Sequence, residues 1–208
     1  MLITLLLLNL VTACGLKGED AEQKTAFIPS ATLQEIMLHV IDPNVDAIWN
    51  AVTTIADKNG VVEIRPQTDA DWSKLKGHAV TLQEAANLLM IPGRPVAVKG
   101  AATSIHPVEL SPEAITQKID AERQQFDQSA QALHRAAAEV IAAIAAKDVD
   151  ALEKAGGHVE HACEQCHAKF WYPNDSVPKA EHTLGLKSAL NAASKPANDV
   201  YLLLRQPS

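Results

Sequence analysis

Residues 111 to 147 carry apolar side chains at every third or fourth position, the spacing of one face of an α-helix. Ser111 caps the segment, Pro112 suits its first helical position, and Glu113 favours the positive end of the helix dipole. A helix this long must bury its apolar face against other elements. The inward positions are Ile115, Ile119, Phe126, Ala130, Leu133, Ala137, Val140 and Ile144.

Three further segments show the same periodicity, at residues 30–60, 69–90 and 148 or 150 to 171. Ser30 is the expected N-cap of the first, and Asp42-Pro43 kinks that helix or starts a new one. Residues 61–67 are expected to connect it to the second helix. Aromatic residues make up only 4% of the chain, and no run of residues convincingly indicates a strand. The sequence therefore predicts an all-α, antiparallel four-helix bundle.

The N-terminus has the pattern of an export signal. The apolar run from Leu2 to Val11 is too short to span a bilayer, which needs about 20 residues, but has the length of a signal-peptide core. Thr12-Ala13-Cys14 resembles a bacterial lipobox, in which the cysteine is lipidated. We expect a signal peptide at 1–13, a lipidated tether at 14–29, a four-helix domain at 30–172 and a C-terminal tail at 173–208. The protein would then be periplasmic and membrane-anchored, the alternative being a buried N-terminal strand or helix.

The net charge of the chain is -7. A nucleic-acid-binding protein needs a basic face to neutralise phosphates, so we expect no nucleic-acid partner. An acidic carrier protein meets basic partners through electrostatic steering. The same charge is also what ordinary solubility requires.

Residues 163 to 167 read Cys-Glu-Gln-Cys-His, the attachment pattern of c-type haem. On a helix, Cys163, Cys166 and His167 share one face. The two thiols then form thioethers with one haem, and His167 supplies a nitrogen ligand to its iron. Since Cys14 belongs to the export signal, all three cysteines are explained without a disulfide.

Other chemistries for the same motif are weaker. A redox-active dithiol needs a thioredoxin-like βαβ setting, whereas the flanks here are helical. A zinc site made from the motif and His158 or His161 has no second cysteine pair. A chance match without a cofactor is the remaining alternative.

With this motif near the end of a fourth helix, the chain resembles the class II cytochromes c, the cytochrome c-prime and c-556 group, over residues 30 to 172. Phe170 matches an aromatic residue often found there, while Trp171 stands where many members have Arg or Lys. The resemblance implies that a residue early in the first helix covers the distal side of the haem. It is a ligating Met in the c-556 type and a non-ligating apolar residue in the five-coordinate c-prime type.

Met37 is the candidate for that position. Met37 and His39 lie about 200° apart around a helix, so only one of them faces the haem. Met37 lies on the apolar stripe with Leu33 and Ile41, whereas His39 lies on a polar stripe. Met37 as plain core packing is the alternative, and Met90 is a weaker candidate ligand.

The predicted function is one-electron transfer by an iron that His167 and Met37 ligate, without enzymatic activity. Redox proteins of the periplasm are the expected partners, and family members often form homodimers. The alternatives are a five-coordinate protein that binds nitric oxide or carbon monoxide, and a zinc-stabilised helical interaction module.

Overall fold

The computed structural model describes residues 27–58, 60–101 and 108–173. The predicted signal peptide, Cys14, most of the tether and most of the tail lie outside these ranges. None of the described helices is long and apolar enough to cross a membrane. The elements are α1 (Leu33–Ile36), a π-helix (Met37–Ile41), α2 (Asp42–Asn50), β1 (Thr53–Asp57), β2 (Gly60–Ile64), α3 (Asp69–Leu89), α4 (Pro112–Ala121), α5 (Arg123–Ala146) and α6 (Val149–Phe170).

The helices form four units of a bundle. The first unit is α1, the π-helix and α2 together, and the others are α3, then α4 with α5, then α6. Helix α5 packs against both α3 and α6, and α2 packs against both α3 and α6. The predicted all-α four-helix bundle is confirmed. Its fully buried large side chains are Phe126, Phe170, Leu33, Ile36, Ile41, Ile48, Leu82, Ile115, Leu152, Val140 and Val159.

Local capping explains most helix starts. Ser111 caps α4 as expected, because its hydroxyl accepts a hydrogen bond from the Ala114 amide at 3.2 Å. Asp148 likewise caps α6 through the Ala151 amide at 2.9 Å. The first helix begins later than predicted, since Thr32 and not Ser30 is its N-cap.

The prediction that the first helix continues to Gly60 is wrong. The prediction that the chain forms no strands is also wrong. Residues 53–57 pair antiparallel with residues 60–64 in a two-stranded hairpin. β-Branched residues dominate 52–55 and 61–64, and they favour extended backbone. Gly60 has a φ of 134°, which suits glycine at the turn. Gly60 therefore begins the second strand of the hairpin and is not a helix end.

The predicted single helix from 111 to 147 is broken at Glu122, which has φ -121° and ψ 36°. At the end of α4, the Glu122 amide donates a hydrogen bond to the Lys118 carbonyl at 3.0 Å. At the start of α5, the Glu122 carbonyl accepts a hydrogen bond from the Phe126 amide at 3.0 Å. The Arg123 guanidinium donates to the Met90 carbonyl at the end of α3. A tertiary contact thus accompanies the break, and sequence periodicity carries no information about such a contact.

Candidate functional site

Helix α6 carries the motif and approaches α2 closely. The Trp49 indole of α2 donates a hydrogen bond to the Gly156 carbonyl at 3.2 Å. A Cβ at position 156 would lie 3.4 Å from Cδ1 of Trp49, an ordinary van der Waals distance, so the contact does not depend on glycine. The hydrogen bond positions α6 relative to the first helical unit.

The motif occupies one turn of α6, as the sequence predicts. Cys166 is buried, while Cys163 and His167 are partly buried. Both cysteines are free thiols. The structure thus brings together on one helical turn the three residues that the sequence assigns to haem attachment.

The surroundings keep both thiols protonated. Burial raises the pKa of Cys163 to about 12, with smaller contributions from the charges of Cys166 and Asp42. Burial also raises the pKa of Cys166 to about 12, although a hydrogen bond with Ser129 lowers it in part. In the folded chain these side chains are weak nucleophiles, because the thiolate is the reactive form.

The imidazole of His167 is held in its neutral form. Burial lowers the pKa of His167, and the carboxylate of Glu109 opposes this effect. The Trp171 indole lies beside the imidazole, with ring centroids 5.5 Å apart and planes at 57°. A neutral imidazole has the free lone pair that a metal ligand requires.

The C-terminal turn of α6 is anchored on two sides. Phe170 is fully buried and contacts Phe126 edge to face, with centroids 5.3 Å apart. The Leu110 amide donates to the Trp171 carbonyl at 3.0 Å, and the Trp171 amide donates to the His167 carbonyl at 2.8 Å. These contacts hold the backbone of His167 in place.

Met37 is the first residue of the π-helix. Its side chain is partly buried and packs against the hydrophobic core, whereas His39 is exposed. Single π-helical turns frequently occur at functional sites. The sequence does not reveal this π-helix, because apolar spacing alone does not distinguish it from an α-helix.

Two carboxylates near the motif were also missed. Burial and the charge of Asp46 raise the pKa of Asp42 to about 6. Asp42 acts electrostatically on Cys163, so the start of α2 faces the motif. Glu109 acts on His167 from the segment between α3 and α4. No local pattern marks either residue.

The residues proposed for zinc do not converge. His158 contacts the carboxylate of Glu139 on α5, with 2.5 Å between Nδ1 and Oε2. Across residues 27–58, 60–101 and 108–173, no three His, Cys, Asp or Glu side chains are arranged to hold a metal ion.

Comparison with known proteins identifies the family. A sequence model described as Cytochrome C' matches residues 63–171, which is more than half of the chain. The chain belongs to the cytochrome c' family. It is therefore a haem-binding c-type cytochrome, which implies covalent haem c, and the predicted class II resemblance is confirmed.

Other comparisons add little to this cytochrome c' assignment. A solved structure titled CYTOCHROME C' is 21% identical, with 68% of this chain and 98% of that chain covered and a TM-score of 0.41. No curated protein sequence matches the chain. The family match begins after the first helical unit, so Met37 lies outside the matched residues.

The residues of α6 fit covalent haem. Two free thiols and a neutral imidazole on one turn are the donor set that this attachment needs. Cys163 and Cys166 would hold the macrocycle as thioethers, and His167 would hold its iron. A bound haem would supply the iron chemistry of the site, and the chain would supply its ligands, orientation and burial.

Proposed function

We propose that this cytochrome carries single electrons on one haem that is attached through Cys163 and Cys166, with His167 and Met37 as iron ligands. The observation that carries the proposal is the position of Met37. Its thioether packs inward against the core, whereas the imidazole of His39, two residues later, is exposed. Met37 is therefore the better-placed side chain of the two for an interior ligand.

Ligation by a histidine and a methionine suits electron transfer. A Met/His pair raises the reduction potential of haem iron. With both axial positions filled, the site offers no open coordination position for a substrate. We accordingly propose no enzymatic activity.

A five-coordinate, gas-binding protein is the second candidate. It is favoured by the match to the Cytochrome C' family model, and by the position of Met37 outside the matched residues. In this case Met37 serves as packing above an accessible iron, and nitric oxide or carbon monoxide binds there.

Absorption spectra of Met37→Ala decide between these candidates. The holoprotein is prepared oxidised, reduced, and reduced under carbon monoxide. We expect the unsubstituted protein to be low-spin and unchanged by carbon monoxide, and Met37→Ala to be high-spin and reactive, because the variant lacks the sixth ligand. His39→Ala and Met90→Ala are matched controls that should keep the original spectrum. A high-spin unsubstituted protein that binds carbon monoxide would refute Met37 ligation.

We further propose export to the periplasm and lipidation at Cys14. The support is the apolar run followed by Thr12-Ala13-Cys14. Cys14→Ala should move the protein from the membrane to the soluble fraction of cells, whereas Thr12→Ser should leave it membrane-bound. Membrane retention of the alanine variant would contradict the lipid anchor.

The proposed partners are periplasmic redox proteins. The net charge of -7 favours partners with a basic docking face, since opposite charges steer the encounter. A second copy of the chain is a further proposed partner, on the basis of family resemblance.

A further inference from the structure

Glu109 carries a buried carboxylate oxygen without a hydrogen-bond partner. Its Oε2 is inaccessible to solvent and pairs with no donor in the part of the chain that the structure describes. An unpaired buried acceptor costs free energy, and more so when the group is charged. A hydrogen-bond donor that reaches Oε2 when haem is bound would remove this cost.

The backbone places Glu109 beside the proximal end of the motif. Its neighbour Leu110 is hydrogen-bonded to Trp171 at 3.0 Å, and Trp171 is in turn bonded to the His167 carbonyl at 2.8 Å. The Glu109 carboxylate also acts electrostatically on His167 in the last turn of α6 and on Tyr172 just beyond its end. Glu109 thus lies on the His167 side of the site.

Three cations of α4, α5 and α6 contact carboxylates other than Glu109. Lys118 and Lys169 contact Glu122 at 2.7 Å and 3.1 Å. Arg123 contacts Asp127 at 2.8 Å. None of these three contacts satisfies Oε2 of Glu109.

We propose that Glu109 is the positioning residue for the proximal ligand: when His167 binds iron through Nε2, its Nδ1–H donates a hydrogen bond to Oε2 of Glu109. Metal-ligating histidines almost always donate their second ring N–H to a carboxylate, a carbonyl or a water. This inference rests on haem ligation by His167 in the proposed function and is independent of Met37.

The hydrogen bond has two consequences for the site. It selects the tautomer and the rotation of the imidazole, so that Nε2 faces the iron. It also draws the Nδ1 proton towards the carboxylate, which makes His167 a stronger electron donor. A stronger donor stabilises the ferric state, so Glu109 lowers the reduction potential.

The test compares holoproteins that carry Glu109→Gln, Glu109→Asp or Glu113→Gln. Glu113 is an exposed residue in the first turn of α4, and its substitution removes the same charge. The first readout is the reduction potential. The second is the iron–histidine stretching frequency of the ferrous protein in a Met37→Ala background, where the sixth ligand is absent.

We expect Glu109→Gln to raise the potential and lower the stretching frequency, Glu109→Asp to recover part of both shifts, and Glu113→Gln to leave the frequency unchanged. Equal potentials and frequencies for Glu109→Gln and Glu113→Gln would refute the positioning role while leaving the proposed function intact. Absence of covalent haem in the unsubstituted protein would refute both.

A second measurement covers the case in which Glu109→Gln does not mature. The iron–histidine frequency of the Met37→Ala protein with Glu109 intact is compared with that of a ferrous haem–imidazole complex in water. We expect the higher frequency in the protein, because a carboxylate draws the proton more strongly than water does. A frequency equal to or below that of the complex would overturn the inference.

Discussion

The C-terminal turn of α6 and the first helical unit differ in regularity. Helix α6 is a continuous α-helix of 22 residues, and its attachment motif lies within the residues that match the family. The first unit changes from α-helix to π-helix and back between Leu33 and Asn50, and lies outside that match. The arrangement of the motif thus depends on local spacing along one helix, whereas the position of Met37, the proposed sixth ligand, depends on how an irregular segment packs.

The largest expected effect on stability comes from the anchor of α6. Phe170→Ala removes a fully buried ring that contacts Phe126, and should lower the free energy of unfolding by about 3–5 kcal/mol. Urea denaturation of the holoprotein, followed by circular dichroism, measures this loss. Phe27→Ala, at a side chain that is 75% exposed, is the control and should change little. A loss below about 1 kcal/mol for Phe170→Ala would show that this anchor does not hold the turn.

A smaller effect of opposite sign is expected in the first unit, at Asp42. Its pKa is raised from 3.8 to about 6, so the native state binds the proton more tightly than the unfolded chain does. The resulting stabilisation is fully present below pH 3.8 and is lost as the pH rises through about 6. At pH 7 the ionised carboxylate is therefore unfavourable.

Asp42→Asn should accordingly raise the free energy of unfolding at pH 7 by about 1–2 kcal/mol, a range reduced to allow for the partial exposure of the side chain. The gain should vanish below pH 3.8. Urea titrations over this pH range measure it, with Asp120→Asn on the exposed face of α4 as the control. A gain that is independent of pH would contradict the raised pKa.

The smallest effect is expected at the start of the first unit. The Thr32 hydroxyl accepts a hydrogen bond from the Glu35 amide at 3.1 Å, and Thr32→Ala should cost about 1 kcal/mol. Amide hydrogen exchange should accelerate in residues 33–41 and stay unchanged in α6, if the two regions open independently. Thr68→Ala, at the equivalent cap of α3, is the matched control and should accelerate exchange only in α3. Equal acceleration in α6 would remove the distinction between the regions.

Much of the bundle was predictable because its signals are local. Apolar spacing located all four helical units, and the Ser111 cap was predicted correctly from residue type. Position 148, one of the two expected starts of the fourth helix, is its N-cap. The hairpin was not predicted, because the apolar stripe of residues 45–55 also fits a helix. Only the β-branched runs and the Asn-Gly pair, considered together, indicate strands there.

The candidate site divides in the same way. The spacing of Cys163, Cys166 and His167 determines that they share a turn, and an α-helix of any packing would present them together. The sequence does not indicate that Glu109 lies near His167, because 58 positions along the chain separate the two residues.

The sequence by itself determined the helical periodicity, the Ser111 cap and the single turn that carries Cys163, Cys166 and His167, all of which depend on residues within a few positions of each other. Only the tertiary structure decided the break at Glu122, the raised pKa of Asp42 and the approach of Glu109 to His167. These features depend on burial and on charges from distant segments. Their energies are set once the helices pack and exclude water, and no local pattern of residues encodes them.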